Sequence, residues 1–201
     1  MRIFYFFSKA IKRFLFSGPL LFMFLIKAEA QSLPDSIPLR ILIIRHGEKP
    51  DSGYNLNCKG WNRAIALPNA IIPQFGIPDL IYVPNMTTGK KTKTVRMYQT
   101  VIPMAIKYNL LVNSKYEETD SLEISDNIIH QKGTILIVWD KKNIAPLVRN
   151  MGIRDASINL DWPDKDYDSI WIIEYIRTAE GSLVPRLRRG KENIVPSKEC
   201  D

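Results

Sequence analysis

Histidine and cysteine are both scarce here, with two of each, His46 and His130, Cys58 and Cys200, in 201 residues. A His/Cys zinc cluster is hard to assemble from that stock, so neither dedicated metal chemistry nor a cofactor is expected. Two cysteines cannot make a disulfide framework, although an exported protein can oxidise them into one bridge. Internal repeats and low-complexity tracts are absent, which leaves no periodic unit for a solenoid. Several phosphate chemistries also fail on spacing. A cysteine-nucleophile loop needs Cys-x5-Arg, but only four residues separate Cys58 from Arg63. A P-loop would need glycine at position 84 before Gly89-Lys90, and Pro84 stands there. No Gly-x-Ser-x-Gly elbow occurs.

Excess positive charge is present, at a formal +7, but much of it sits at one end. Residues 1–30 read as a signal peptide: a basic start (Arg2, Lys9, Lys12, Arg13), the apolar run FLFSGPLLFMFLI, and Ala28-Glu29-Ala30 as a small-x-small cleavage site. As a helix the thirteen apolar residues at 14–26 would reach about 20 Å, short of a ~30 Å hydrocarbon core. Export without stable membrane association is therefore expected, to the periplasm or beyond. Without the leader the chain keeps 28 − 5 = 23 Lys/Arg and 21 − 1 = 20 Asp/Glu, about +3. The high pI is thus a poor argument for nucleic acid, and no nucleic-acid partner is expected. Residues 31–201 suffice for one domain with a core.

Within that domain strands and helices alternate. LRILIIR (39–45) is a continuous apolar run, as in a strand covered on both faces. A helix over about 59–74 is capped by Asn57, with Pro68 expected to kink or shorten it. A strand at 79–84, a helix from near Thr92 to Tyr108, a short strand at 110–112 and a helix at 121–131 follow. GTILIVW (133–139) is a second buried strand, Ile144 to Met151 a short helix closed by Gly152, and 168–189 two strands around a turn at Gly181. This order predicts an α/β fold, a three-layer αβα sandwich with a largely parallel sheet. Ligands of such sheets sit beyond the carboxyl ends of strands, where His46 and Trp139-Asp140-Lys141 both fall.

Arg45-His46-Gly47 suits phosphate. An imidazole can attack phosphorus and carry the phosphoryl group, a guanidinium offers fixed donors to its oxygens, and glycine permits close backbone approach. Arg96 falls in the first turn of its helix, where the dipole also favours an anion. Together with Leu56-Asn57-Cys58-Lys59-Gly60-Trp61-Asn62-Arg63-Ala64, Pro78-Asp79 and Arg96-Met97-Tyr98-Gln99-Thr100, the tripeptide resembles the ordered motifs of the histidine phosphatase superfamily, the phosphoglycerate-mutase-like group.

The resemblance implies a phosphoglycerate-mutase-like fold and hydrolysis of a phosphomonoester through a phosphohistidine, with no cofactor or metal and a small phosphorylated substrate or phosphate as partner. It makes His46 the nucleophile, Arg45 and Arg96 the phosphate clamp, and Glu117 or Glu118, with spacing favouring Glu118, the general acid. Arg63 is either a further phosphate contact or an ordinary surface arginine. The departure lies at 139–144. Family members place a second histidine where this chain has Lys141, and His130, on the wrong side of the strand, reads as a helix-terminal surface residue. Reduced activity, or a phospho-ligand-binding protein of the same fold, is the alternative this implies.

Intact-mass measurement of the exported protein should give a chain beginning at Gln31; one beginning at Met1 would refute the leader.

Overall fold

The computed structural model describes residues 40–86 and 94–200. The expected leader, its polar continuation and the basic run at 90–93 lie outside the described residues. Six strands form one sheet in the order β3-β2-β4-β1-β5-β6: β1 (Arg40–Arg45), β2 (Leu80–Tyr82), β3 (Val112–Asn113), β4 (Thr134–Trp139), β5 (Ser169–Arg177) and β6 (Leu183–Lys191). β1 to β4 pair in parallel, whereas β5 runs antiparallel to both β1 and β6. The sheet is largely parallel, as expected.

Strand alternation divides the core. Leu42, Ile44, Leu136 and Val138 pack against Leu67 and Ile71 of α1 (Cys58–Phe75) and Met97, Val101 and Met104 of α2 (Val95–Tyr108). Ile41, Ile43, Ile135 and Ile137 face Ile124 and Ile128 of α3 (Ser121–Ile129) and Ile144, Leu147 and Val148 of α4 (Lys141–Asn150). Burial on both faces is why β1 and β4 read as unbroken apolar runs, and it makes the three layers.

Pro68 does not shorten its helix. α1 runs through Pro68 and Pro73 to Phe75. A helix-interior proline costs about 3 kcal/mol, but each fully buried Leu or Ile returns about 1.5–3 kcal/mol. Leu67 and Ile71 flank Pro68 on the core side, so tertiary burial overrides local propensity.

Register then positions the chemistry. Arg45 at the end of β1 lies opposite Trp139 at the end of β4, so the next residues, His46 and Asp140, leave the sheet side by side. At the other end Asp79 joins β2 to β4: its amide donates to the Thr134 carbonyl at 2.8 Å and its Oδ2 accepts from the Thr134 amide at 2.7 Å.

Cys58, the first residue of α1, is disulfide-bonded to Cys200, 142 positions away. Asn62 one turn later donates to the carbonyls of Ser197 and Glu199, so the C-terminal segment lies against the start of α1. A bridge closing so long a loop stabilises chiefly by restricting the unfolded chain. Cys200→Ser should lose about 2–5 kcal/mol in urea unfolding, and the unaltered protein in reductant should match it. An unchanged unfolding midpoint would show that the bridge contributes nothing.

Candidate active site

His46 is 1 % exposed, at the point where β1 ends. Its Nδ1 lies 2.7 Å from the Gly47 carbonyl oxygen. A carbonyl only accepts, so Nδ1 carries the proton and Nε2 keeps its lone pair. Burial lowers the His46 pKa to about 4, opposed by the Gly47 hydrogen bond and reinforced by the positive charges of Arg45 and Arg96. Near neutrality the imidazole is an uncharged base with one nitrogen fixed and the other open.

The flanking motifs hold that geometry. A Cβ on Gly47 would stand 2.9 Å from the Gly60 carbonyl oxygen, and one on Gly60 2.2 Å from that of Glu48. Only two glycines let the loop after β1 press so closely on α1. Asn57 caps α1 by accepting from the Gly60 amide. From α2, Thr100 Oγ1 accepts from the Gly47 amide at 2.9 Å and donates to the Arg96 carbonyl at 2.8 Å. Gln99 accepts from the Leu56 amide and donates to Asn55. Thus Gln99 and Thr100 brace the His46 loop, while Arg96 on the same turn brings a guanidinium near the imidazole.

Arg45 is 3 % exposed. Its Nη1 donates to the Asp164 carbonyl at 2.7 Å, its Nη2 to the Tyr167 hydroxyl at 3.2 Å, and its guanidinium carbon lies 4.0 Å from the Tyr167 ring centre. Burial lowers its pKa, with the Tyr167, Asp140 and Asp166 charges opposing. The Nε groups of Arg45 and Arg96 are buried without a hydrogen-bond partner. Two orphaned cationic donors beside one open imidazole nitrogen are costly unless an anion joins them.

Carboxylates face them. Glu118, rather than the exposed Glu117, is half-buried, and the Trp139 indole N–H donates to its carbonyl at 2.9 Å. Burial raises the Glu118 pKa, helped by the charges of Asp140 and Glu117. Asp140 caps α4, its Oδ1 accepting from the Lys142 amide at 3.0 Å, and its Oδ2 stands 3.9 Å from His46 Nε2. Lys141 is ion-paired with Asp164, whose carbonyl also holds Arg45. His130 is exposed at the C-terminus of α3, as expected.

Arg63 is neither a surface arginine nor part of this cluster. It is 4 % exposed; its Nε and Nη2 donate to the two Glu48 oxygens at 2.9 and 3.0 Å, and its Nη1 to Glu192 at 2.7 Å. Burial opposes the Arg63 charge, but the Glu48 hydrogen bond and the Glu192 and Glu48 charges outweigh it and raise the pKa. With those donors committed to carboxylates, Arg63 braces the loop instead of meeting phosphate. Sequence reasoning placed Asp140 at the strand end without giving it a role, and it missed Tyr167. An aspartate between a strand and a helix was a readable cap signal, whereas nothing local could pair Tyr167 with Arg45.

No protein-family model matches the chain, and no curated protein matches it by sequence. Solved structures do. SixA from Agrobacterium tumefaciens superposes with a TM-score of 0.51 at 19 % identity, covering 76 % of this chain and 97 % of that one. A mycobacterial glucosyl-3-phosphoglycerate phosphatase in complex with inorganic phosphate gives 0.46 at 13 % identity, over 74 % and 95 %. Phosphoglycerate mutase from Plasmodium falciparum gives 0.44 at 16 % identity, over 73 % and 87 %. The likeness to SixA shows a shared fold, α/β with a largely parallel sheet.

On this fold the open nitrogen of His46, the buried guanidinium of Arg45, the half-buried one of Arg96 and a carboxyl of raised proton affinity form one constellation beyond the ends of β1 and β4. It can accept an anionic electrophile at Nε2 and supply a proton from Glu118.

The depressed His46 pKa also fixes a pH dependence. An imidazole at about 4 when folded and about 6.5 when unfolded takes up its proton on unfolding between those values. Stability linked to His46 is therefore complete above about pH 6.5 and declines as pH falls towards 4, by on the order of 3 kcal/mol. Imidazole NMR should show one resonance titrating near 4 and missing in His46→Ala; a midpoint at 6 or above would contradict the buried neutral state.

Proposed function

We propose that the protein is an exported phosphohydrolase that cleaves a phosphomonoester through a phosphohistidine at His46. The observation that carries this is the His46 tautomer, with Nδ1 held by Gly47 and Nε2 open, set beside two arginines whose Nε groups lack partners. Nε2 attacks phosphorus, the ester P–O bond breaks, and the departing oxygen takes its proton from Glu118. Water then attacks the phosphohistidine, the P–N bond electrons return to Nε2, and Glu118 recovers a proton. Arg45 and Arg96 balance the oxygens' charge throughout, each charged hydrogen bond contributing about 1.5–3 kcal/mol. Export is supported by the leader-like residues 1–30 and by the Cys58–Cys200 bridge, since disulfides persist in oxidising compartments.

A second reading has its own support. Lys141, where a histidine would assist transfer, is ion-paired with Asp164. A lysine stays charged near neutrality (pKa about 10.4 unperturbed) and shuttles protons poorly, so the same site would hold phosphorylated ligands and turn over slowly.

Purified mature protein should be tested on a panel of phosphomonoesters, with phosphohistidine trapped in alkali. Label on His46, abolished in His46→Ala, is expected. Lys141→His should raise turnover on the order of 100-fold, the lower end for a well-placed transition-state donor. If neither form labels and Lys141→His is no faster, the protein is a binding module.

A further inference from the structure

We propose that Asp140 sets the lifetime of the phosphorylated enzyme by holding a carboxylate against the attacking nitrogen. The inference rests on the reading of His46 as nucleophile and adds a residue to it.

In the resting protein Asp140 makes no hydrogen bond to His46 and only partly offsets the lowering of its proton affinity. The His46 proton is on Nδ1, shared with Gly47, so Nε2 presents a lone pair to Asp140 Oδ2 at 3.9 Å. That distance is too long for a hydrogen bond, and there is no proton between the two atoms to share. The carboxylate stays because another bond fixes it: Oδ1 accepts from the Lys142 amide as the cap of α4. Helix capping therefore places a negative charge where the phosphoryl group would form. The nearest lysine in sequence, Lys141, does not neutralise it, being engaged with Asp164.

A phosphoryl group on Nε2 would then lie between opposing fields. Arg45 and Arg96 attract its oxygens, while Asp140 repels them from within a few ångströms. Beside the buried imidazole, with Asp140 itself half-buried, such repulsion is screened less than in water. It weakens retention of phosphate and raises the free energy of phosphohistidine relative to the hydrolysed state. In the hydrolytic step water forms the new P–O bond, the P–Nε2 bond breaks with its electron pair returning to nitrogen, and the water proton passes to Glu118. Asp140 exchanges nothing. It acts through charge alone, which explains how an enzyme lacking the second histidine would still shed its phosphoryl group.

Asp140→Asn separates charge from structure, because asparagine caps a helix as well as aspartate and has nearly the same shape. Unchanged urea unfolding should confirm the cap; if the variant fails to fold, Asp140→Ser supplies the same cap without the charge. Inorganic phosphate and vanadate should bind the variant at least ~10-fold more tightly, and phosphohistidine formed from an aryl phosphate should decay at least ~10-fold more slowly, as expected when one repulsive charge is removed. Label on His46 with unaltered decay and phosphate affinity would overturn the role of Asp140 while leaving the nucleophile intact. No label in either protein would overturn the nucleophile, and this inference with it.

Discussion

The guanidinium of Arg63 joins the segments on which the site depends. It sits on α1, grips Glu48 with two hydrogen bonds and reaches Glu192 just beyond β6. Glu48 is two residues from His46, so this ion pair decides where the loop after β1 runs, and with it where the imidazole points. One guanidinium cannot balance both buried acids. Burial pushes Glu192 up to about 8, with the Arg63 charge working against the rise, and Glu192 Oε1 has no hydrogen-bond partner. Such a cluster contributes little net stability compared with an apolar replacement, but losing one partner is expensive. Its value is positional. The Gly47–Gly60 approach and the Thr100 hydrogen bond secure the same loop from its other sides.

With the loop fixed, charge is arranged across His46 in two sets. Arg45 and Arg96 lower the imidazole's proton affinity, while Asp140 works the other way. The same Asp140 charge raises Glu118, and Arg96 opposes that rise. Each of these groups therefore shapes the protonation of the others, so removing any one alters more than its own contact. A neutral imidazole and a carboxyl of raised proton affinity both follow from burial and this shared field.

Much of the fold was legible because hydrophobic periodicity survives in the sequence. The runs at 41–44 and 135–138 read as strands covered on both faces, and Asn57 announced its helix. Boundaries were less so: the short strand expected at 110–112 is Val112–Asn113, and α1 ignores its prolines. The site divides in the same manner. His46, Arg45 and Arg96 stand in local motifs, and the structure brings them together. Arg63 misled because its fate depends on Glu192, a contact 129 positions away, and the Cys58–Cys200 pairing spans 142. Long-range partners leave no local trace.

Lys141 shows why a residue cannot be judged from its local sequence alone. Its backbone position, the first residue of α4, is dictated by the end of β4 and the Asp140 cap. Its side chain instead answers to the loop that carries Asp164 and Tyr167. That loop also takes two of the Arg45 donors through Asp164 and Tyr167. A lysine therefore bridges to a carboxylate that a neutral imidazole would not hold as an ion pair, and in doing so it tethers the segment that orients Arg45. The influence of Lys141 thus falls on the loop that orients Arg45.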